Sequence, residues 1–147
     1  MDIKRRLDVL SWVAWSYHGK WYTWGGSNPA GIDCSGFIVE LGKSIGIIYR
    51  QDDFSSAGLW EALKQYRIPT PKTGGLVFYG DGEGNVNHVE FCLDDFHSMG
   101  ASGGGSWIKT TEDAIKANAF IKVRPIKRKR EIIGYTDFAG VEGFLEH

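Results

Sequence analysis

The spacing of apolar residues predicts that the chain begins with an amphipathic helix over residues 3–17. Apolar side chains recur there at intervals of three and four, which places them on one face of a helix that packs against a core. This face comprises Leu7, Leu10, Val13, Ala14 and Tyr17. The pair His18-Gly19 is expected to end the helix, because glycine readily adopts the backbone conformation that follows a last helical turn.

Two more helices are predicted in the first half of the chain. One runs from about Cys34 to Ser44, with Asp33 as its N-cap and Gly46 after its end. The other covers residues 57–66, follows a pair of serines that can cap it, and stops before a proline. Between the first and second helices lies a loop rich in glycine and aromatic residues.

The second half of the chain has the pattern of a sheet. Short apolar or alternating runs, separated by glycine- and aspartate-rich turns, predict strands, and a capped helix is expected from Thr110 to about Ala119. The predicted strands cover residues 75–79, 87–93, 98–101, 120–126 and 132–135. Helices first and an antiparallel sheet second indicate an α+β fold. We expect one domain over residues 1–144 and interpret 145–147 as the remnant of an expression tag.

Composition narrows the possible functions. The 147 residues carry a formal net charge of −1, which gives no global electrostatic case for nucleic acid as a partner. We see no apolar run long enough to span a membrane and no secretory signal, so we expect a protein made in the cytoplasm, or exported by a route that its sequence does not encode. We also expect it to be a monomer. No histidine pair has the spacing of a zinc protease, and we predict no metal and no cofactor.

The chemistry suggested by the sequence is that of a cysteine nucleophile. Cys34 is predicted in the first turn of a helix, where backbone N–H groups and the helix dipole favour the thiolate. His88 follows 54 residues later at the start of a strand and is a natural general base for that thiol. The alternative is that Cys34 is only a small buried residue. We favour the nucleophile for Cys34 and the buried role for Cys92.

Four segments of the chain resemble, in order and spacing, the NlpC-type papain-like cysteine peptidases. They are Tyr22-Thr-Trp-Gly-Gly, Asp33-Cys-Ser-Gly-Phe, Pro71-Lys-Thr-Gly-Gly-Leu-Val-Phe-Tyr and Asn87-His-Val-Glu-Phe. Members of that family cut the peptide stems of the bacterial cell wall. The Gly100-Ala-Ser-Gly-Gly-Gly stretch, followed by a threonine-rich helix start, is most similar to phage or prophage members.

The resemblance implies a papain-like α+β fold and a peptidoglycan substrate. It makes Cys34 the nucleophile and His88 the base, and it places Tyr22, Asp33 and Ser35 beside the oxyanion and the substrate. The implied protein is a compact lysin or the hydrolase of a phage particle, which would act on the wall after release. Its reaction is hydrolysis of a stem-peptide amide, as an endopeptidase more than as an amidase. A non-hydrolytic tail component with a decayed site and an acyltransferase are the alternatives.

Two positions depart from the family pattern. The family usually has a polar residue, often histidine, twelve positions after the base, where this chain has Gly100. It commonly has glycine two positions after the base, where this chain has Glu90. The predicted hairpin puts these two residues opposite each other. Glu90 could therefore fill the space at Gly100 and orient His88, or it could bind a basic group while a carbonyl or water orients the imidazole.

Two further groups of residues have a structural and a functional interpretation. The first comprises Trp12, Trp15, Trp21, Trp24 and Trp60. These could line a polymer-binding groove, but we expect most of them in the core. The second is a basic run comprising Lys122, Arg124, Lys127, Arg128, Lys129 and Arg130. It could dock onto an anionic polymer, but we favour a solvated hairpin edge that discourages aggregation.

Overall fold

The computed structural model describes residues 1–23, 27–28, 31–102 and 108–147, with backbone alone at 27–28, 31–32 and 102. Helix α1 spans Ile3–Tyr17, as predicted, and buries Leu10 and Ala14 completely. Helix α2 spans Cys34–Ser44 and also has the predicted bounds. The Asp33 side chain caps α2 by accepting a hydrogen bond of 2.7 Å from the backbone N–H of Gly36.

The third helix is shorter than predicted. Helix α3 spans Ser56–Ala62, with the Ser55 hydroxyl capping its first turn, and a 3-10 turn at Lys64–Tyr66 follows it. The late helix, α4, spans Thr111–Ala117. Its capping box joins Thr110 and Asp113 reciprocally, which confirms the predicted start.

Eight short strands complete the structure, and the main sheet contains six of them. The strands are β1 Ser27–Asn28, β2 Gly31–Ile32, β3 Arg67–Ile68, β4 Leu76–Gly80, β5 Val86–Cys92, β6 His97–Ser102, β7 Phe120–Pro125 and β8 Ile132–Thr136. β1 pairs with β2, and the main sheet has the antiparallel order β3-β8-β4-β5-β6-β7. The α+β fold predicted from the sequence is confirmed.

The connection between β7 and β8 differs from the expected hairpin. β7 lies at one edge of the sheet beside β6, whereas β8 lies between β3 and β4. Residues 126–131 therefore cross the sheet instead of turning at its edge. Because β4, β5 and β6 separate the two strands, the basic residues of the crossing segment come to lie over the centre of the sheet.

The two faces of the sheet bury different clusters. Phe78, Val89 and Phe91 belong to the main core, which the helices cover. Successive strand residues point to opposite faces, so His88 and Glu90 lie on the other side. On that side, Val77, Tyr79, Cys92 and Ile126 form a second, smaller cluster. The buried position predicted for Cys92 is confirmed.

Two structural expectations from the sequence were wrong. Trp12 and Trp15 are 62% and 50% exposed, so they do not fill the core; Trp21 and Trp60 pack against it, and Trp24 lies outside the described residues. Leu145, which we had left out of the fold, is buried, and its N–H donates to the carbonyl of Ile47 over 2.7 Å. The origin of residues 145–147 stays a prediction.

In the part of the chain that the structure describes, every helix is too short or too polar to cross a membrane.

Candidate active site

The first turn of α2 opens into a cleft of about 280 Å³. Cys34 is the first residue of that helix, and its half-buried side chain forms part of the cleft wall. The lining residues are Tyr22, Asp33, Cys34, Ser35, Asp53, Phe54, Ser55, Ser56 and Asn87. The structure therefore brings together in one cleft the four residues Tyr22, Asp33, Cys34 and Ser35, which the sequence had suggested for this site.

The thiol of Cys34 is held in its protonated form. Burial, together with the adjacent Asp33 carboxylate, raises the pKa of Cys34 to about 11. Hydrogen bonding from the backbone N–H groups of Val89 and Ser35 favours the thiolate but does not outweigh burial. The backbone N–H groups thus favour the thiolate, as expected, but burial and Asp33 act against them and were not foreseen from the sequence.

Helix α2 packs against strand β5, which carries His88. The closeness of the Cys34 sulfur to the N–H of Val89 places it beside the residue that follows this histidine. His88 is only 5% exposed. Burial lowers its pKa, the adjacent Glu90 raises it, and the guanidinium groups of Arg130 and Arg124 lower it further.

Glu90 contacts His88 directly. Its Oε2 lies 2.7 Å from Nε2 of the imidazole, and its side chain is completely buried. Gly100 leaves the space for this carboxylate: a Cβ built there would lie 2.9 Å from Cδ of Glu90 and closer still to Cγ. The geometry expected from the first interpretation, with Glu90 filling the space at Gly100, is present.

Three further groups bind the same carboxylate. The Ser98 hydroxyl donates to Oε1 over 2.7 Å, while Nη2 of Arg124 and of Arg128 donate to Oε2 over 2.5 and 3.0 Å. Burial alone would raise the pKa of Glu90, but His88 and the two guanidinium groups hold it well below its usual range. The second interpretation is therefore correct in giving Glu90 a basic partner. Its other part, in which a carbonyl or water replaces Glu90 at the imidazole, does not match the direct contact between Glu90 and His88.

The basic run is consequently not a solvated edge throughout. Arg124 and Arg128 reach Glu90, and Arg130 donates from Nη2 to Oδ1 of Asn87 over 2.9 Å at the wall of the cleft. Sequence analysis missed these roles. In the structure, half-buried Arg128 and Arg130 alternate with exposed Lys127 and Lys129. This alternation in the sequence could have indicated arginines that face the site only if the path of the segment across the sheet had been known.

This arrangement selects one form of the imidazole. With Glu90 ionised, Nε2 of a neutral His88 carries the proton and donates it to Oε2. Nδ1 then keeps its lone pair, and it makes no hydrogen bond to any residue that the structure describes. An imidazole in this tautomer can accept the proton of a thiol.

Tyr22 also lines the cleft, and its side chain is buried near Cys34 and Asp33. It is 4% exposed, and burial together with the nearby Cys34 and Asp33 raises its pKa, so the hydroxyl stays protonated as a donor. Among the described residues, we find no cluster of His, Cys, Asp or Glu side chains arranged to hold a metal ion.

An α+β domain with a cysteine at a helix N-terminus and a histidine on the adjoining antiparallel sheet belongs to the papain-like class. The model of the NlpC/P60 family matches residues 19–127. The chain belongs to the NlpC/P60 family.

Several relatives share parts of this sequence. The chain is 29% identical over 110 residues to the probable peptidoglycan endopeptidase LytE of Bacillus subtilis, covering 74% of this chain and 30% of LytE. It is 36% identical over 70 residues to the gamma-D-glutamyl-L-lysine dipeptidyl-peptidase of the same species, covering 46% of this chain and 23% of that protein. The chain thus spans under a third of either relative.

Solved structures share the fold. The P60 domain of the Mycobacterium avium subspecies paratuberculosis antigen MAP1204 superimposes with a TM-score of 0.70 and 22% identity, covering 95% of this chain and 98% of that domain. The peptidoglycan hydrolase RipB of Mycobacterium tuberculosis gives 0.68 and 23%, covering 99% and 67%.

Proposed function

We propose that this protein is a peptidoglycan hydrolase that cleaves an amide bond in the stem peptide, with Cys34 as nucleophile and His88 as general base. The observation that carries the proposal is the position of Cys34, at the start of α2, open to a cleft and beside the strand of His88. The names of the relatives as peptidoglycan endopeptidase and dipeptidyl-peptidase support the substrate class.

The reaction begins with proton transfer. Because the thiol is protonated at neutral pH, Nδ1 of His88 takes its proton as sulfur attacks the substrate carbonyl. The tetrahedral intermediate collapses when the imidazolium donates that proton to the leaving amine, and a thioacyl enzyme remains. Water then loses a proton to His88 as it attacks, and release of the acid returns that proton to the thiolate.

The oxyanion of the intermediate needs donors inside the cleft. The backbone N–H of Cys34 lies at the helix N-terminus, where such groups lack intrahelical acceptors. The protonated hydroxyl of Tyr22, which also lines the cleft, supplies a second donor. Asp33 and Ser35 flank the nucleophile and contribute polar contacts to the substrate.

The orienting role in this reaction falls to Glu90. Its carboxylate fixes the Nε2–H tautomer, which leaves the lone pair of Nδ1 for the thiol. The alternative of a decayed, non-hydrolytic tail component depended on the missing side chain at position 100. Occupation of that space by Glu90 weighs against it. We propose that the enzyme acts on the bacterial wall, after release or within a phage particle.

Purified cell wall tests the proposal. In a zymogram, the wild type should clear the wall and Cys34→Ala should not. Cys92→Ala is the matched control, because it removes the other cysteine, which is buried away from the cleft, and it should retain clearing. Mass spectrometry of the products from defined muropeptides then identifies the cleaved bond. Intact muropeptides after incubation with a folded wild type would contradict hydrolysis, and products joined to an added amine would indicate acyl transfer.

A further inference from the structure

We propose that Arg124 and Arg128 are positioning residues of this site, which fix the ionised Glu90 carboxylate against His88 and so replace the orienting side chain that position 100 lacks. The inference rests on the proposed function, because it assigns to both arginines a part in preparing His88 as the base. It concerns residues that do not touch the substrate and act through Glu90.

The hydrogen bonds to Glu90 stabilise its ionised carboxylate and restrict it to one position. Oε2 accepts from Nε2 of His88 and from Nη2 of both arginines, and Oε1 accepts from the Ser98 hydroxyl. Four donors converge on two oxygens, three of them on Oε2, and this set of partners favours the ionised carboxylate over the protonated acid. A completely buried carboxylate without such partners would be strongly destabilised.

The two arginines approach Glu90 from different elements. Arg124 belongs to β7, whereas Arg128 belongs to the segment that crosses the sheet towards β8. Two guanidinium groups that bind the carboxylate from separate elements restrict its position more than a single ion pair with one flexible side chain would.

Arg128 is itself fixed. Its Nη1 donates to the Tyr79 hydroxyl over 3.0 Å and to the carbonyl of Pro125 over 2.8 Å, and its guanidinium carbon lies 4.3 Å from the centre of the Tyr79 ring. The Tyr79 hydroxyl in turn donates to the carbonyl of Ile126 over 2.8 Å. A planar guanidinium can bridge these groups and Glu90 at once.

The charges balance around the base. Glu90 alone would raise the pKa of His88. An imidazole that is already protonated at neutral pH cannot accept the thiol proton. The cations of Arg124 and Arg128 offset that carboxylate without contacting the imidazole themselves. His88 also contacts the ring of Tyr79 from β4 and lies in the field of Arg130 from the crossing segment.

The direct test is the tautomer of His88 in the protein without substrate. The chain has four histidines, so the ring nitrogens can be assigned by ¹⁵N NMR. At a pH where the imidazole is neutral, the wild type should show the Nε2–H form alone. Arg124→Gln combined with Arg128→Gln should give a mixture with the Nδ1–H form. Lys129→Gln, which removes the same charge from an exposed side chain of the same segment, should match the wild type.

A coupling experiment separates action through Glu90 from a general structural effect. Glu90→Gln should itself give mixed tautomers, because an amide can donate to or accept from Nε2. Adding the two arginine substitutions to that background should change neither the tautomer ratio nor turnover further. In the wild-type background they should lower kcat by about tenfold with little change in KM, as only part of the contribution of a general base is lost.

The outcomes distinguish this inference from the proposed function. A pure Nε2–H signal in the folded double arginine variant would overturn the inference even if the wall is cleared. Loss of tautomer control in a protein that clears no wall would support the inference and contradict the hydrolase. Should the glutamine variants fail to fold, Arg124→Lys with Arg128→Lys keeps both charges and should retain mostly Nε2–H; a mixture there would contradict the proposal.

Discussion

Glu90 and Gly100 share one volume between two neighbouring strands, and only one of them has a side chain to fill it. The register places Phe91 opposite Met99, so Glu90 faces Gly100 directly. Because a Cβ at position 100 would collide with the Glu90 side chain, the two positions cannot both carry large residues. In the proposed mechanism the orienting group therefore lies on β5 and not on β6, and its carboxylate contacts the imidazole directly.

Exchanging the two residues tests this equivalence. We expect Gly100→His to lower kcat by at least about tenfold, because the new ring displaces Glu90 from Nε2 of His88. Glu90→Gly should lower it similarly by removing the orienting carboxylate. The double variant should recover most of the activity, since the histidine then occupies the vacated space. Steady-state kinetics with a muropeptide, checked by thermal melting, measures this, and additive losses in the double variant would contradict it.

Asp33 has opposite effects on structure and on chemistry at the same helix end. Its carboxylate caps α2 and also raises the pKa of the Cys34 thiol. Asparagine is as good a cap but carries no charge. We therefore expect Asp33→Asn to leave stability nearly unchanged and to lower the pKa of Cys34.

The rate of Cys34 alkylation by iodoacetamide against pH measures this shift. Because only the thiolate reacts, the Asp33→Asn profile should move to lower pH, with several-fold faster alkylation at a fixed pH below the thiol pKa. Asp53→Asn is the control, because Asp53 lines the same cleft and is not among the groups that shift the pKa of Cys34. An unchanged profile for Asp33→Asn would show that burial alone sets the thiol pKa.

At the scale of elements, the sequence predicted the bounds of helices well, because these depend on neighbouring residues, but it did not predict the order of the strands. The bounds of α1 and α2 follow from apolar periodicity and from Asp33 as a cap, and both were predicted correctly. The pairing of β7 and β8 was predicted wrongly, because strands adjacent in sequence usually pair and only the order of the whole sheet shows that these do not. The contact of Arg128 with Glu90 depends on that crossing, and the contact of Arg124 depends on the pairing of β7 with β6. Sequence reasoning therefore could not find either contact.

The last three residues illustrate the same limit. Whether they derive from a tag stays a prediction, but composition gave no sign that Leu145 packs in the main core, where it is 4% exposed. We expect Leu145→Ala to lower the free energy of unfolding by about 2–4 kcal/mol, as for other buried leucines. Urea unfolding measures this, with exposed Glu146→Ala as a control that should change it by less than about 0.5 kcal/mol. Equal values for the two variants would mean that the C-terminal residues do not contribute to the folded core.

At the scale of the whole molecule, the shifted groups predict how stability depends on pH. The folded pKa values of His88 and Glu90 lie below their ordinary values of 6.5 and 4.5, so the unfolded chain binds protons more tightly. Stability is then fully present above pH 6.5 and declines as the pH falls, first through His88 and then through Glu90. The folded pKa of Cys34, about 11, exceeds its ordinary value of 9.0, so stability also declines above pH 9.0.

The free energy of unfolding should therefore be greatest between about pH 6.5 and 9.0, which urea unfolding at a series of pH values can measure. His88→Asn should flatten the decline between pH 6.5 and 4.5, because no buried imidazole remains to be charged in that window. His97→Asn removes an exposed histidine and should leave the decline in place. A decline that persists unchanged in His88→Asn would show that other groups cause it, and that the imidazole is not held neutral by its buried position.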